Sequence, residues 1–468
     1  MKNKSFKLIE MNWPDFGVGD PPPPAGLAEI KNRISLVRAR MEQKGFSHLI
    51  VYGDREHFAN IMYVTGLDPR YEEAILILGL DQDPLLLLGN ECYSYAKVSP
   101  LYRSGEMRTE KYQPLSLLNQ PRDESRMLKE IILSEGIRRT SIVGCVGWKY
   151  FAADEHPDCH RAMEIPSFIV DTLRETVCYE NIKNATDIFM NPENGLRTFA
   201  SPTEIAYFEY TNSSASEGVK NMIFNLREGM RDSELASFCR FNGYPLSCHM
   251  TLLTGATREL GLTGPVGAII RRGDPLAMNL GYWGSNVCRA GWAVSSSREL
   301  PSLARSYVDS FAGRYFEVMY EWFQLLRIGI PGRALWQLIH EKLPEEIFGI
   351  SLNPGHLIHL DEWLSSPVFR DSSISLHSGM VVQSDVIPVS PHYFSTRMED
   401  GYVIADVSLR RQIQQEYPET YARCLRRRDF VNECLGFDLA DEVLPLSNMP
   451  AIVPPYFFAP NTIFALEE

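Results

Sequence analysis

The stretch Gly379-Met380-Val381-Val382-Gln383-Ser384-Asp385-Val386-Ile387 sets one carboxylate inside an apolar run, and Met398-Glu399-Asp400 opens a second run that ends near Asp406. Residues 380–389 and 398–406 read together as a pair of strands. A carboxylate buried in such a strand is costly unless it is paired, hydrogen-bonded or bound to a cation. Asp385 and Glu399 on neighbouring strands are therefore site candidates, because perturbed acids cluster in sites. Upstream, Asn353-Pro354-Gly355-His356 leads a histidine into the run Leu357-Ile358-His359-Leu360. On a strand, His356 and His359 face opposite sides, so only one of them shares a face with the acids.

Working backwards, Ser201-Pro202-Thr203-Glu204 is a helix start. Ser201 caps, Pro202 fits the first helical position, and Glu204 returns a bond to the cap. Further helices are expected at 233–240, 303–327 and 333–343, with a strand pair at 275–280 and 286–294. In the first half, Ile30, Ile34, Val37 and Met41 recur at helical spacing and stop at Gly45. Short apolar runs at 48–52, 61–65, 74–80, 84–88, 141–146 and 168–171 read as strands, and 122–134 as a helix. This alternation makes 28–185 an α/β domain. A tail over 1–27 carries Pro21 to Pro24, which form an extended polyproline segment. The polar segment 181–199, with Pro192 and Gly195, is the expected linker. Residues 200–468 make the second domain and end in an extended segment rich in Pro and aromatics.

The chain has 468 residues, long for one domain and ordinary for two. A formal net charge of −13 excludes a nucleic-acid partner and an anionic membrane surface, both of which need a basic face. No run nears the roughly 20 apolar residues of a membrane span. Nine cysteines are scattered singly, without a C-x-x-C pair. Together with a basic start that lacks an apolar h-region, they lead to an expectation of reduced thiols in the cytoplasm.

Six segments in this order resemble the creatinase/prolidase/aminopeptidase P family: Asn60-Ile-Met-Tyr63-Val-Thr65-Gly66, the helix start at Ser201, Arg272-Gly273-Asp274, Pro354-Gly355-His356, Gly379-Met380-Val381 and Met398-Glu399-Asp400. The resemblance runs from about residue 30 to 440. It implies an α+β fold, a pita-bread catalytic domain preceded by a smaller α/β creatinase-like domain, and a homodimer.

In that family two aspartates, a histidine and two glutamates hold two divalent metals. The resemblance places His356 as the histidine, Glu399 as the last glutamate, and Asp385 where the other glutamate is expected. Both aspartate positions depart from the pattern: Asn279 stands at the first, and Cys288 or its neighbour Val287 at the second. The hairpin between them is also shorter. Two carboxylates fewer weaken a hard two-metal site. The creatinase branch works without metal through an upstream histidine, for which His249 is the nearest candidate. The family's second histidine position holds Trp363.

The expected centre is therefore depleted: metal-free, or one Mn, Co or Zn ion on His356, Asp385 and Glu399. His249 is either a general base or a loop residue. Arg289 either binds a substrate carboxylate or forms a structural ion pair. Tyr282, Asn279 and Cys288 stand near the centre as substrate-binding candidates, with packing the blander role for Tyr282 and Cys288. The implied activity is hydrolysis of a C–N bond in a small-molecule or dipeptide-like substrate of amide, guanidino or Xaa-Pro type. A dinuclear peptidase with unusual ligands and a non-catalytic binding protein are the alternatives.

Overall fold

A computed structural model describes residues 4–467, so the first three residues of the expected tail lie outside it. The chain divides into two compact units, residues 23–197 and residues 198–468 together with those up to 22. Strand β1 (Phe6–Glu10) belongs to the second unit and pairs antiparallel with the last strand, Thr462–Leu466. The tail is thus partly a sheet element.

In the unit 23–197, the helix Leu27–Lys44 buries Ile30, Ile34, Val37 and Met41 and ends at Gly45, whose φ of 74° is the left-handed stop the sequence signals. Strands β2 (His48–Gly53), β3 (Ala74–Gly79), β4 (Leu85–Leu88), β5 (Arg108–Lys111), β6 (Val143–Val146) and β7 (Ile182–Asn184) form one sheet in the order β5-β4-β3-β2-β6-β7. The β2–β3 and β3–β4 pairs are antiparallel and the rest parallel. Ile50, Ile75, Ile77 and Leu87 from the sheet pack with Ile131, Ile169 and Leu173 from helices. Each such side chain contributes roughly 1.5–3 kcal/mol on burial.

Four sequence readings change here. Residues 61–65 lie in the helix Ala59–Thr65, of which all but Met62 are buried, so no polar face betrays a helical period. Residues 168–171 lie in the helix Ser167–Thr176, which buries Ile169, Val170 and Leu173. The segment 181–199 is not a linker throughout, because β7 adds to the sheet edge beside β6. The helix expected at 122–134 is confined to Leu128–Ser134.

In the second unit, Ser201 Oγ accepts from Glu204 N at 3.2 Å and Glu204 Oε2 accepts from Ser201 N at 2.8 Å, so the capping box opens the helix Pro202–Asn225. A third of the way along it, Glu209 is buried between two arginines of the helix Pro418–Glu433. Arg423 Nη2 donates to its Oε2 at 2.6 Å, and Arg427 Nη2 lies 2.6 Å from its Oε1.

Two antiparallel sheets complete this unit. Strands β8 (Leu252–Leu253), β9 (Pro275–Leu280) and β10 (Val287–Trp292) form the first together with β13 (Arg397–Glu399), reached after β11 (His356–Leu357) and β12 (Val381–Gln383). The second sheet has the order β11-β12-β14-β15, with β14 at Gly401–Ile404 and β15 at Val443–Pro445. Only Asp400 separates β13 from β14, so the chain steps from one sheet to the other at that residue. Asp385 lies two residues beyond the end of β12 and not inside a strand, which corrects the reading of 380–389. The helix expected over 303–327 starts as a 3-10 turn and a π-turn and becomes α-helical at Gly313–Leu325. Downstream of β15, Trp292 N donates to Pro455 O and Phe457 N to Trp292 O, which docks the carboxyl-terminal segment along β10. Among the described residues no helix is long and apolar enough to cross a membrane.

Candidate functional site

Register on the first sheet sets two rows of side chains on one face. Asn279 on β9 pairs with Cys288 on β10, which pairs with Glu399 on β13. The next row on that face holds Leu253, Ala277, Ala290 and Arg397, since alternate residues share a face. The first row is polar. In the second, Leu253, Ala277 and Ala290 form a small apolar cluster with Phe394 packed against it. Phe394 has a φ of +66°, a left-handed conformation that strains a bulky residue. Paired backbone bonds with Ser390 across a short turn hold it there.

The acids meet a histidine at this face. His356 is fully buried, with its Nε2 3.3 Å from Glu362 Oε1 and 3.8 Å from Asp385 Oδ2. Nε2 faces both carboxylates without an aligned hydrogen bond among the described residues, and Asp385 Oδ1 has none either. Its Nδ1 lies 3.2 Å from the Leu357 carbonyl, which can only accept, so the ring hydrogen belongs on Nδ1. Trp363 stacks on the imidazole at 4.1 Å between ring centroids. Trp363 therefore fixes the orientation of the ring.

Glu362 is the residue the sequence reading missed. No ligand pattern singles it out, and its only signal was a position one residue before Trp363. One ligand atom each from His356, Glu362 and Glu399 lie within 4.8 Å of one another. Asn286, at the start of the return strand, is the second omission. Its Nδ2 donates to Glu399 Oε1 at 2.8 Å.

Electrostatics separate the acids. Burial, then the charges of Asp385 and Glu362, push the Glu399 carboxyl well above the ordinary carboxylate range. Asp385 is raised by burial against the pull of His356 and Arg397. Burial would raise Glu362 too, but His356 outweighs it and holds Glu362 low. The His356 imidazole is raised in turn: burial works against its charge, and Glu362 and Asp385 more than offset that.

Other candidates have different roles. All five N–H groups of Arg289 are spent: Nε on Ile452 O, Nη1 on Cys288 O and Glu399 O, and Nη2 on Asp400 Oδ2 and Met449 O. It is fully buried and has no donor left for a substrate carboxylate, so the substrate-binding reading gives way to the structural ion pair with Asp400. Cys288 is buried, accepts from Arg397 Nη1 at 3.4 Å, and burial pushes its thiol up to about 11, which removes it as a nucleophile at neutral pH. Tyr282 stacks on Phe241 at 6.1 Å as packing. His249 is exposed, and its Nε2 lies 2.8 Å from Leu262 O.

The donor set does not fit a two-metal site. Asn279 Oδ1 accepts from both the backbone N and the Oγ1 of Thr251, so both lone pairs are used. Its Nδ2 donates to Asn286 Oδ1 at 3.0 Å. The side chain that reaches Glu399 from this hairpin is Asn286, two residues before Cys288. One ion fits the remaining donors, an imidazole and two carboxylates.

No protein-family model matches the chain, and no curated protein sequence matches it. Solved structures do match its fold. The prolidase from Pyrococcus horikoshii OT3 superposes with a TM-score of 0.61 at 16% identity, over 80% of this chain and 95% of that one. Prolidase from Thermococcus sibiricus gives 0.62 at 16% identity, over 89% and 96%. A variant of Escherichia coli aminopeptidase P gives 0.58 at 14% identity, over 87% and 100%. Across two units, two antiparallel sheets and most of the length of each neighbour, this chain has the pita-bread fold of the prolidase and aminopeptidase P structures.

Proposed function

We propose that this chain is a hydrolase of a C–N bond in a small amide, guanidino or Xaa-Pro type substrate, working at a depleted centre that takes at most one metal ion. The observation that carries this reading is the convergence of His356, Glu362, Asp385 and Glu399 beside a hydrogen-bonded asparagine pair.

Hydrolysis needs water activated towards a carbonyl or guanidinium carbon, a departing nitrogen that receives a proton, and a charge-stabilising environment. Asp385 suits the proton transfer. Its raised carboxyl takes a proton from the attacking water more readily than an exposed aspartate and returns it to the nitrogen as the C–N bond breaks. His356 and the Arg397 guanidinium oppose that rise. One divalent ion on His356, Glu362 and Glu399 would polarise the reacting group and acidify the water. The apolar floor of Leu253, Ala277 and Ala290 under Phe394 supports an uncharged side group on the substrate. A homodimer accompanies this reading on the family resemblance, and a cytoplasmic setting on the singly scattered cysteines.

The test is product formation by mass spectrometry from pools of Xaa-Pro dipeptides, short amides and guanidino acids. Turnover by the wild type that falls at least about a hundredfold in Asp385→Asn supports the proposal. Turnover unchanged in Asp385→Asn and in His356→Ala overturns it.

A further inference from the structure

We infer that the centre binds one divalent cation and not two, through His356 Nε2 and the carboxylates of Glu362 and Glu399, with Glu362 supplying charge that the Asn279–Asn286 pair lacks. The inference deepens the hydrolase reading by fixing its cofactor, and it rests on four observations.

First, the donor geometry is already close. His356 Nε2 and Glu362 Oε1 are 3.3 Å apart, the spacing of two ligands around a tetrahedral ion with bonds of about 2.0–2.1 Å. Glu399 completes a set within 4.8 Å. Second, His356 Nε2 is fully buried and has no hydrogen-bond partner among the described residues, while Nδ1 is committed to the Leu357 carbonyl. That is the arrangement of a ligating histidine, whose other nitrogen is fixed by a backbone acceptor. Third, the ligands are oriented by groups that do not ligate. Asn286 holds Glu399, and Trp363 stacks on the imidazole.

Fourth, the charges balance for one ion only. Ionised Glu362, Asp385 and Glu399 carry three negative charges, and Arg397 beside Asp385 and Glu399 carries one positive. One divalent ion brings the cluster to neutrality, whereas a second leaves two uncompensated positive charges among buried side chains. Asn279 offers no lone pair to a second ion. An imidazole with two carboxylates selects manganese, cobalt or zinc over calcium, which takes six to eight oxygens.

The experiment uses the full chain, stripped with chelator and titrated calorimetrically with Mn²⁺ or Zn²⁺ alone, with elemental analysis after gel filtration. The expected result is one ion per chain, binding at least about a hundredfold weaker in Glu362→Gln, and intermediate binding in Glu362→Asp. Circular dichroism in chelator checks that each variant is folded, and Glu362→Asp carries the test if Glu362→Gln is not. Two ions per wild-type chain, no binding at millimolar ion, or equal affinity in the Glu362 variants overturns the inference. Turnover that survives complete stripping overturns it and leaves the hydrolase reading standing. One bound ion without turnover of any pool supports it and counts against that reading instead.

Discussion

Asn279 Nδ2 donates to Asn286 Oδ1 at 3.0 Å, and Asn286 Nδ2 donates onward to Glu399 Oε1 at 2.8 Å. The relay begins at Thr251, which saturates Asn279 Oδ1, and ends on the acid with the most strongly raised carboxyl. A neutral amide, Asn279, thus stands where the family resemblance places an anion, and through Asn286 it orients Glu399.

Asn286→Asp replaces the donor to Glu399 with a carboxylate beside Glu399 and Glu362. In chelator this variant should lose at least about 2 kcal/mol of stability, since a buried charge is left without a partner. Manganese should restore more of its melting temperature than it adds to the wild type. Differential scanning calorimetry with and without the ion reads both.

Asp400→Ala should cost about 3–5 kcal/mol by leaving the Arg289 guanidinium buried without its carboxylate. Urea denaturation measures this. A loss under 1 kcal/mol would mean that Arg289 is not the structural anchor at the crossing between the two sheets.

Acid should weaken the helix pair at Glu209. Burial alone would raise that carboxyl, but Arg427 and Arg423 outweigh burial and hold it low. A group held low in the folded state stabilises fully above its unfolded pKa of about 4.3, and the contribution is lost as pH falls through the folded value. Urea midpoints should therefore drop below about pH 5. Glu209→Gln should be less stable at pH 7 and should show a shallower drop.

Phe394→Gly removes a ring from the apolar floor and also relieves a left-handed φ. Strain of about 1–3 kcal/mol offsets the lost burial of similar size, so stability should change little. KM for an apolar substrate should rise roughly tenfold with kcat nearly unchanged. Steady-state kinetics and a melting curve together check the pair of outcomes.

The fold was legible where residues repeat a local rule: the Ser201 cap, the Gly45 stop, and the apolar runs of β2, β3 and β4. It failed where burial hides the period, as in Ala59–Thr65, whose helix turns nearly every side chain inward. At the site, short motifs in order led to His356, Asp385 and Glu399. Glu362 was invisible because a glutamate on a loop has no periodicity, and its meaning comes only from lying 3.3 Å from His356. Counting positions along β10 pointed to Cys288, while the side chain that reaches Glu399 is Asn286, before the strand begins. Arg289 reads alike as ligand or structure until its five acceptors are seen.

Anomalous diffraction from crystals grown with manganese tests the depleted centre most directly. The account expects one peak within about 2.3 Å of His356 Nε2, a Glu362 oxygen and a Glu399 oxygen, and none against Asn279 Oδ1. Two peaks bridged by the carboxylates, or a histidine and acids too far apart to share one ion, would contradict it.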